Sequence, residues 1–299
     1  MLLKSGDCVS LVATARRVTP DEVLPTVRLL ESWGLRVRVP EGLYGSDNQF
    51  AGSDEHRAAL FQRQLDDDAV RAIFCVRGGY GTVRMVDRLD FSRFADHPKW
   101  IVGYSDITVL HSHVARLCAV PTLHAIMPLN ITDGVTEANS PAVRTLKQCL
   151  FEGRADYRFP ASPLNRVGQC RATVVGGNLS VLYSLIASPS EVNLDGKILL
   201  IEDLDEYLYH IDRMMVALRR SGRLAHLAGL LVGGLTDMHD NAVPFGRDAG
   251  QIVREAVDGY GYPVAFQCPF GHIGQQNMAL PLNKEAVLSV SENETFVLF

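Results

Sequence analysis

The sequence predicts an α/β protein built on parallel, doubly wound sheet. Three observations carry that reading. Short apolar, β-rich runs alternate with amphipathic stretches along the chain. Several of the runs are apolar at nearly every position, as strands buried on both faces are. The alternation lapses once, in a stretch rich in arginine, proline and polar residues, and then restarts. At 299 residues the chain has room for about two domains of roughly 150 residues each. We therefore expect an N-terminal unit at 1–152, a linker at 153–168 and a smaller, mixed α/β unit at 169–299.

The runs at 9–13, 35–39, 72–76 and 100–102 read as buried strands. Between the first two, Thr19-Pro20-Asp21-Glu22 has the form of a capping box with proline at the first helical position. Val23, Leu24, Val27 and Leu30 follow at helical spacing until Gly34, although Pro25 argues against a regular first turn. Ser53 starts a second helix through Ala59, Leu60 and Leu65; Ser140-Pro141 starts another that ends near Gly153. Beyond the linker, strands are expected at 172–175, 197–201, 230–232 and 264–266, and helices at 179–187, 209–220 and 247–257. The runs at 286–290 and 295–298 form a closing pair of strands.

Composition excludes several functions. Twenty-nine basic against 34 acidic residues give a net charge of −5, and no stretch is basic enough to track nucleic-acid phosphates. No apolar run approaches the roughly 20 residues that span a bilayer. The six cysteines are scattered with no Cys-x-x-Cys pair, so they read as small buried hydrophobes in a reducing compartment. Ala13-Thr14-Ala15 superficially resembles a signal-peptidase site. The apolar run before it is short and follows Asp7, and Arg16-Arg17 lie on the wrong side, so a first strand and a cytoplasmic protein are expected.

Four segments could carry chemistry. Trp100-Ile101-Val102-Gly103-Tyr104-Ser105 runs from a strand into Gly-x-Ser, with an apolar helical stretch behind it. That is the setting of a nucleophile elbow, and the N–H of Asp106 could face a developing oxyanion. Taken singly, Ser105 reads more readily as a helix cap. Arg77-Gly78-Gly79-Tyr80-Gly81 also follows a strand; it lacks the spacing of a dinucleotide fingerprint or a P-loop, and its glycines would let backbone approach a ligand. Glu202-Asp203 ends a strand, where crevices form in open α/β sheets, or starts a solvated acidic cluster. His272 stands between Gly271 and Ile273-Gly274 after another strand. The other histidines form no convincing metal triad; His111 and His113, two apart on a helix, do not share a face. No metal or cofactor is expected. Ser105, Glu202 and His272 supply a nucleophile, an orienting carboxylate and a base, but spacing alone does not select them from many candidates.

The motifs in combination resemble the LD-carboxypeptidase family of serine peptidases. The matching segments are Gly6-Asp7, Arg77-Gly78-Gly79-Tyr80-Gly81, Gly103-Tyr104-Ser105-Asp106-Ile107-Thr108, Gly176-Gly177-Asn178-Leu179, Ile201-Glu202-Asp203 with Tyr209 and Asp212-Arg213, and Gly271-His272 with Asn277 and Leu280-Pro281-Leu282. Ala13-Thr14-Ala15 departs from the family's usual Ala-Pro-Ser. The resemblance implies a flavodoxin-like N-terminal domain akin to class I glutamine amidotransferases and a smaller C-terminal α/β domain. It also implies a triad of Ser105, Glu202 and His272 split between them. Backbone N–H groups of Gly79 and Asp106 would form the oxyanion hole, and a side chain at 79 is expected to crowd the reacting carbonyl. Arg77, Gly78, Tyr80 and Asn178 would contact substrate.

The implied reaction removes terminal D-alanine from murein tetrapeptides at an L–D bond, in a homodimer, with a muropeptide or small peptide as the only partner. Alternatives are an immunity-type peptidase acting on microcin-C-like peptidyl-nucleotides and a non-catalytic peptide-binding protein on the same scaffold. Two tryptophans, both near core elements, weigh against the first; an intact triad weighs against the second. An amidotransferase using Cys75 fails because that residue lies inside a predicted strand.

Overall fold

Local signals place the helices where the sequence puts them. The computed structural model describes all 299 residues. The Glu22 carboxylate accepts the Thr19 N–H at 2.7 Å, and α1 (Pro20–Ser32) begins there. It runs on through Pro25, whose fixed φ suits a helix but which loses one hydrogen bond and crowds the carbonyl of Asp21 one turn earlier. Ser53 Oγ accepts the His56 N–H to start α2 (Asp54–Asp66), a cap typically worth about 1 kcal/mol. Ser140 does the same for α5 (Pro141–Lys147), whose chain widens into a last π-helical turn and stops at left-handed Gly153.

The first sheet contains β1 (Cys8–Val12), β2 (Arg36–Arg38), β3 (Val70–Cys75), β4 (Trp100–Gly103) and β5 (Thr122–His124), all parallel, in the order β5-β4-β3-β1-β2. That is the flavodoxin-like order, which reverses direction between β1 and β3 and opens a crevice at their carboxyl ends. The short helix α3 (Thr82–Met85) and α4 (Thr108–Leu117) follow β3 and β4. One expected strand differs: β2 is an edge strand with Arg36 exposed, not one buried on both faces.

The second sheet contains β6 (Tyr157–Pro160), β7 (Gly168–Asn178), β8 (Ile198–Leu204), β9 (Gly229–Thr236), β10 (Val264–Ala265), β12 (Lys284–Val290) and β13 (Glu294–Leu298). Its order is β10-β9-β8-β7-β12-β13-β6, parallel from β10 to β7 and antiparallel from there on. Helices α6 (Leu179–Ser184), α7 (Leu208–Arg220) and α8 (Ala249–Ala256) pack on it.

Two segments depart from the expected division of the chain. Residues 157–160, inside the stretch read as a linker, form β6 and pair with β13. Tyr157 and Phe159 are buried while Arg158 faces out, so a period-2 pattern hides among the polar neighbours. The other is β11 (Leu280–Leu282), late in the second half, which pairs antiparallel with β5 and completes the first sheet. One apolar cluster accordingly runs from Leu11 and Phe74 through Leu280 and Leu282 to Leu200 and Leu288.

Candidate active site

Ser105 follows β4 directly and has φ of 64°, in the left-handed region that a non-glycine residue enters only when its surroundings force it. The turn is fixed from both sides. Buried Tyr104 donates its hydroxyl hydrogen to Asn130 at 3.2 Å, and buried Asp106 accepts the Thr82 N–H at 2.9 Å. The second bond ties the serine turn to the glycine-rich turn after β3. Burial pushes the Asp106 carboxyl up, against the Thr82 hydrogen bonds and the nearby Arg57 charge. Arg57 is itself buried; it donates to the carbonyls of Thr14 and Gly81 and pairs with Asp54.

The glycine-rich turn lies against the serine. A Cβ on Gly78 would stand 3.2 Å from Ser105 Oγ and 3.4 Å from the Asp106 nitrogen. Gly79 has φ of 109°, and its N–H donates to no acceptor in the chain. From the sequence, a side chain at 79 is expected to crowd the reacting carbonyl; the nearest atoms to a Cβ there belong instead to Arg16, whose Cδ is 2.7 Å away. Gly78 is the residue that faces Ser105.

On the second sheet, Glu202 lies near the end of the buried run of β8, followed by buried Asp203. Its Oε2 accepts from His272 Nδ1 at 2.6 Å and from the His272 backbone N–H at 3.2 Å. Gly271 permits this approach: it has φ of 96°, and a Cβ there would overlap the Glu202 side chain at 2.6 Å. The bond to Nδ1 assigns the proton to that nitrogen and leaves Nε2 free to accept. The imidazole packs on Tyr104 with ring centroids 4.7 Å apart, which brings it to the residue preceding Ser105.

His124, at the end of β5, approaches Glu202 from the other side. Its Nε2 lies 3.8 Å from Oε1, too long for a hydrogen bond, and both its ring nitrogens and Glu202 Oε1 lack partners in the buried interior. Burial alone would raise the Glu202 carboxyl; the imidazoles of His124 and His272 outweigh it and hold the carboxyl down to about 2. We assign most of that hold to His272, which has the hydrogen-bond geometry. Burial in turn would lower His272, but the Glu202 hydrogen bond and charge, with Asp203 behind, raise it. Asp203 is pushed up to about 6 by burial and by Glu202.

The remaining candidates are spread out. Arg77 donates to the Arg17 carbonyl at 3.3 Å and lies 3.8 Å from Glu22. Tyr80 is 48% exposed, its ring tilted against Phe50. Asn178 is buried. Its side-chain oxygen accepts from Ser180 Oγ and the Val181 N–H, and its amide nitrogen donates to Asp203, so it caps α6 and anchors the acid strand instead of facing the crevice. His111 is spent on Thr122 Oγ1 and the Gly103 carbonyl. Cys75 is buried, and burial pushes its thiol far up.

Sequence reasoning passed over two residues near this site. His124 was one histidine among nine. Arg16 was read only as a flank of a supposed cleavage site, yet an arginine just past the carboxyl end of β1 stands at the sheet's reversal point, which was signal enough.

Comparison with known proteins places the chain in a family. Residues 9–125 match the LD-carboxypeptidase N-terminal domain and residues 171–288 the LD-carboxypeptidase C-terminal domain. The chain belongs to the LD-carboxypeptidase family. It is 33% identical to a probable murein peptide carboxypeptidase of Bacillus subtilis, over 99% of this chain and 92% of that protein. It is 27% identical to the murein tetrapeptide carboxypeptidase of Pseudomonas aeruginosa, over 94% of this chain and 92% of that one. The fold is shared with a muramoyltetrapeptide carboxypeptidase from Oxalobacter formigenes, at a TM-score of 0.87 and 23% identity over 98% of this chain and 99% of that one. The microcin C7 self-immunity protein MccF has the same fold at a TM-score of 0.86 and 18% identity, covering 100% of this chain and 97% of its own. No helix is long and apolar enough to cross a membrane.

Proposed function

We propose that this protein is a serine carboxypeptidase that releases the terminal D-alanine of murein tetrapeptides, with Ser105, Glu202 and His272 as its triad. One observation carries the proposal: His272, hydrogen-bonded to buried Glu202, packs on Tyr104, beside a serine held in a left-handed turn. Ser105 Oγ attacks the scissile carbonyl while His272 Nε2 takes its proton, and Glu202 keeps the imidazole in the required tautomer. The N–H groups of Asp106 and Gly79 receive the oxyanion. His272 then returns the proton to the departing amine of D-alanine, and water releases the peptide from Ser105 by the same steps. The names of the Bacillus and Pseudomonas relatives favour the murein substrate over a peptidyl-nucleotide, because the fold alone is common to both kinds of enzyme. Six unpaired cysteines support a reducing, cytoplasmic setting, and the homodimer remains the assembly the family implies.

The direct test is incubation with L-Ala-D-Glu-meso-diaminopimelate-D-Ala and with its L-Ala-ending isomer, followed by mass spectrometry. Release of D-alanine from the first and much slower cleavage of the second is expected. Equal cleavage of both, or of neither, would sink the reading.

The acid–base pair has its own signature. Catalysis needs His272 neutral, and Glu202 holds its pKa above the ordinary value near 6.5, so kcat/KM should rise with pH through a limb above that value. Glu202→Gln removes the carboxylate charge. The limb should move to lower pH while kcat drops by roughly 10⁴-fold. A pH–rate profile with an unmoved limb would show that another group is the base.

A further inference from the structure

The reading above makes the enzyme a carboxypeptidase, and such an enzyme must distinguish a free terminal carboxylate from a peptide that continues. We propose that Arg16 is the residue that binds this carboxylate, an inference that rests on the carboxypeptidase reading.

Three arginines stand at the mouth of the crevice, and two are occupied. Arg17 donates to Ser46 Oγ at 3.1 Å. Arg77 is held by the Arg17 carbonyl and by Glu22. Arg16 is exposed and makes no side-chain hydrogen bond or ion pair within the chain, although its backbone pairs with Phe50. Its aliphatic stem lies across Gly79, with Cγ, Cδ and Nε all within 2.9 Å of the point where a Cβ would sit. The turn leaves out a side chain at the place this stem occupies.

The distances suit the leaving residue. In a peptide, the carboxylate carbon of the last residue is three bonds from the scissile carbonyl carbon, about 4 Å away at most. Ser105 faces Gly78, and the next Cα along the turn, that of Gly79, lies about 3.8 Å further. The Arg16 side chain over Gly79 is therefore one residue along the glycine-rich turn from Gly78, the residue that faces Ser105. Its planar fork of N–H groups matches a carboxylate and does not match a carboxamide or a continuing chain.

The test compares the tetrapeptide ending in D-alanine with the same peptide ending in D-alaninamide. The readout is the ratio of kcat/KM on acid to that on amide. The wild-type enzyme should favour the acid by roughly 10- to 100-fold, the contribution of one or two charge-assisted hydrogen bonds. In Arg16→Ala the ratio should fall close to one. Arg16→Lys, which keeps the charge and loses the fork, should restore part of it. Arg16→Ala retaining the wild-type ratio would overturn the assignment, whether or not both rates drop together, since a merely structural role lowers both alike. If wild-type enzyme cleaves neither peptide, the carboxypeptidase reading itself falls and this inference with it.

Discussion

Ser105→Ala should lower kcat by roughly five to six orders of magnitude, the loss seen when one member of a cooperating triad is removed. The protein should stay folded, because alanine fills the same turn. Ser105→Gly should be equally inactive yet more stable than Ser105→Ala. The φ of 64° at this position costs an L-residue on the order of 1–2 kcal/mol, and glycine escapes that strain at an entropic cost of about 0.5–1 kcal/mol in the unfolded chain. Thermal melts of the two variants together with single-turnover assays check both halves. A folded Ser105→Ala retaining a tenth of the activity would end the assignment of the nucleophile. If Ser105→Gly melts no higher than Ser105→Ala, the turn is not strained.

Gly78→Ala should be the second most damaging change. Its backbone is not in the left-handed region, so alanine meets no conformational penalty there. The new methyl would instead sit 3.2 Å from Ser105 Oγ and 3.4 Å from the Asp106 nitrogen, in the space the proposed oxyanion hole requires. Blocking or displacing one oxyanion donor costs about 10²- to 10³-fold in kcat, and that loss is expected with an unchanged denaturation midpoint. Steady-state kinetics on Gly78→Ala beside urea titrations would separate the effects. Normal turnover would show that the oxyanion lies elsewhere. Gly79→Ala is a poorer probe, because strain and collision with Arg16 would act at once.

The strands and caps were legible because each depends on neighbours in sequence. Ser53, Ser140 and Glu22 cap within three residues of themselves, and the apolar strands carry their own pattern. Strand β6 was missed because four residues with two arginine- and proline-rich flanks give too short a run to outweigh composition, and the pairing that holds it comes from β13, over 130 residues away. The serine turn and the glycine-rich turn stood out as local motifs. Their facing was not legible: that Gly78 and not Gly79 meets Ser105 follows from a bond between Thr82 and Asp106 and from where Arg16 lies. His124 could not be distinguished from other histidines because its importance comes only from the fold, which brings the end of β5 and the His272 turn to opposite sides of the Glu202 carboxylate.

The return of β11 to the first sheet gives the chain the topology of a stitch. His272 sits seven residues after β10 in one sheet and eight before β11 in the other, so the segment bearing it is moored on both walls of the crevice. The walls cannot swing apart as lobes on a single hinge without tearing Leu280–Leu282 from β5. Peptides must then enter a slot of nearly fixed width from its open side, and discrimination rests on what lines the slot more than on closure around the ligand. The same stitch makes the halves poor candidates for separate life. A fragment ending before β11 would leave the edge of β5 bare, with its N–H and C=O groups open to any extended chain nearby.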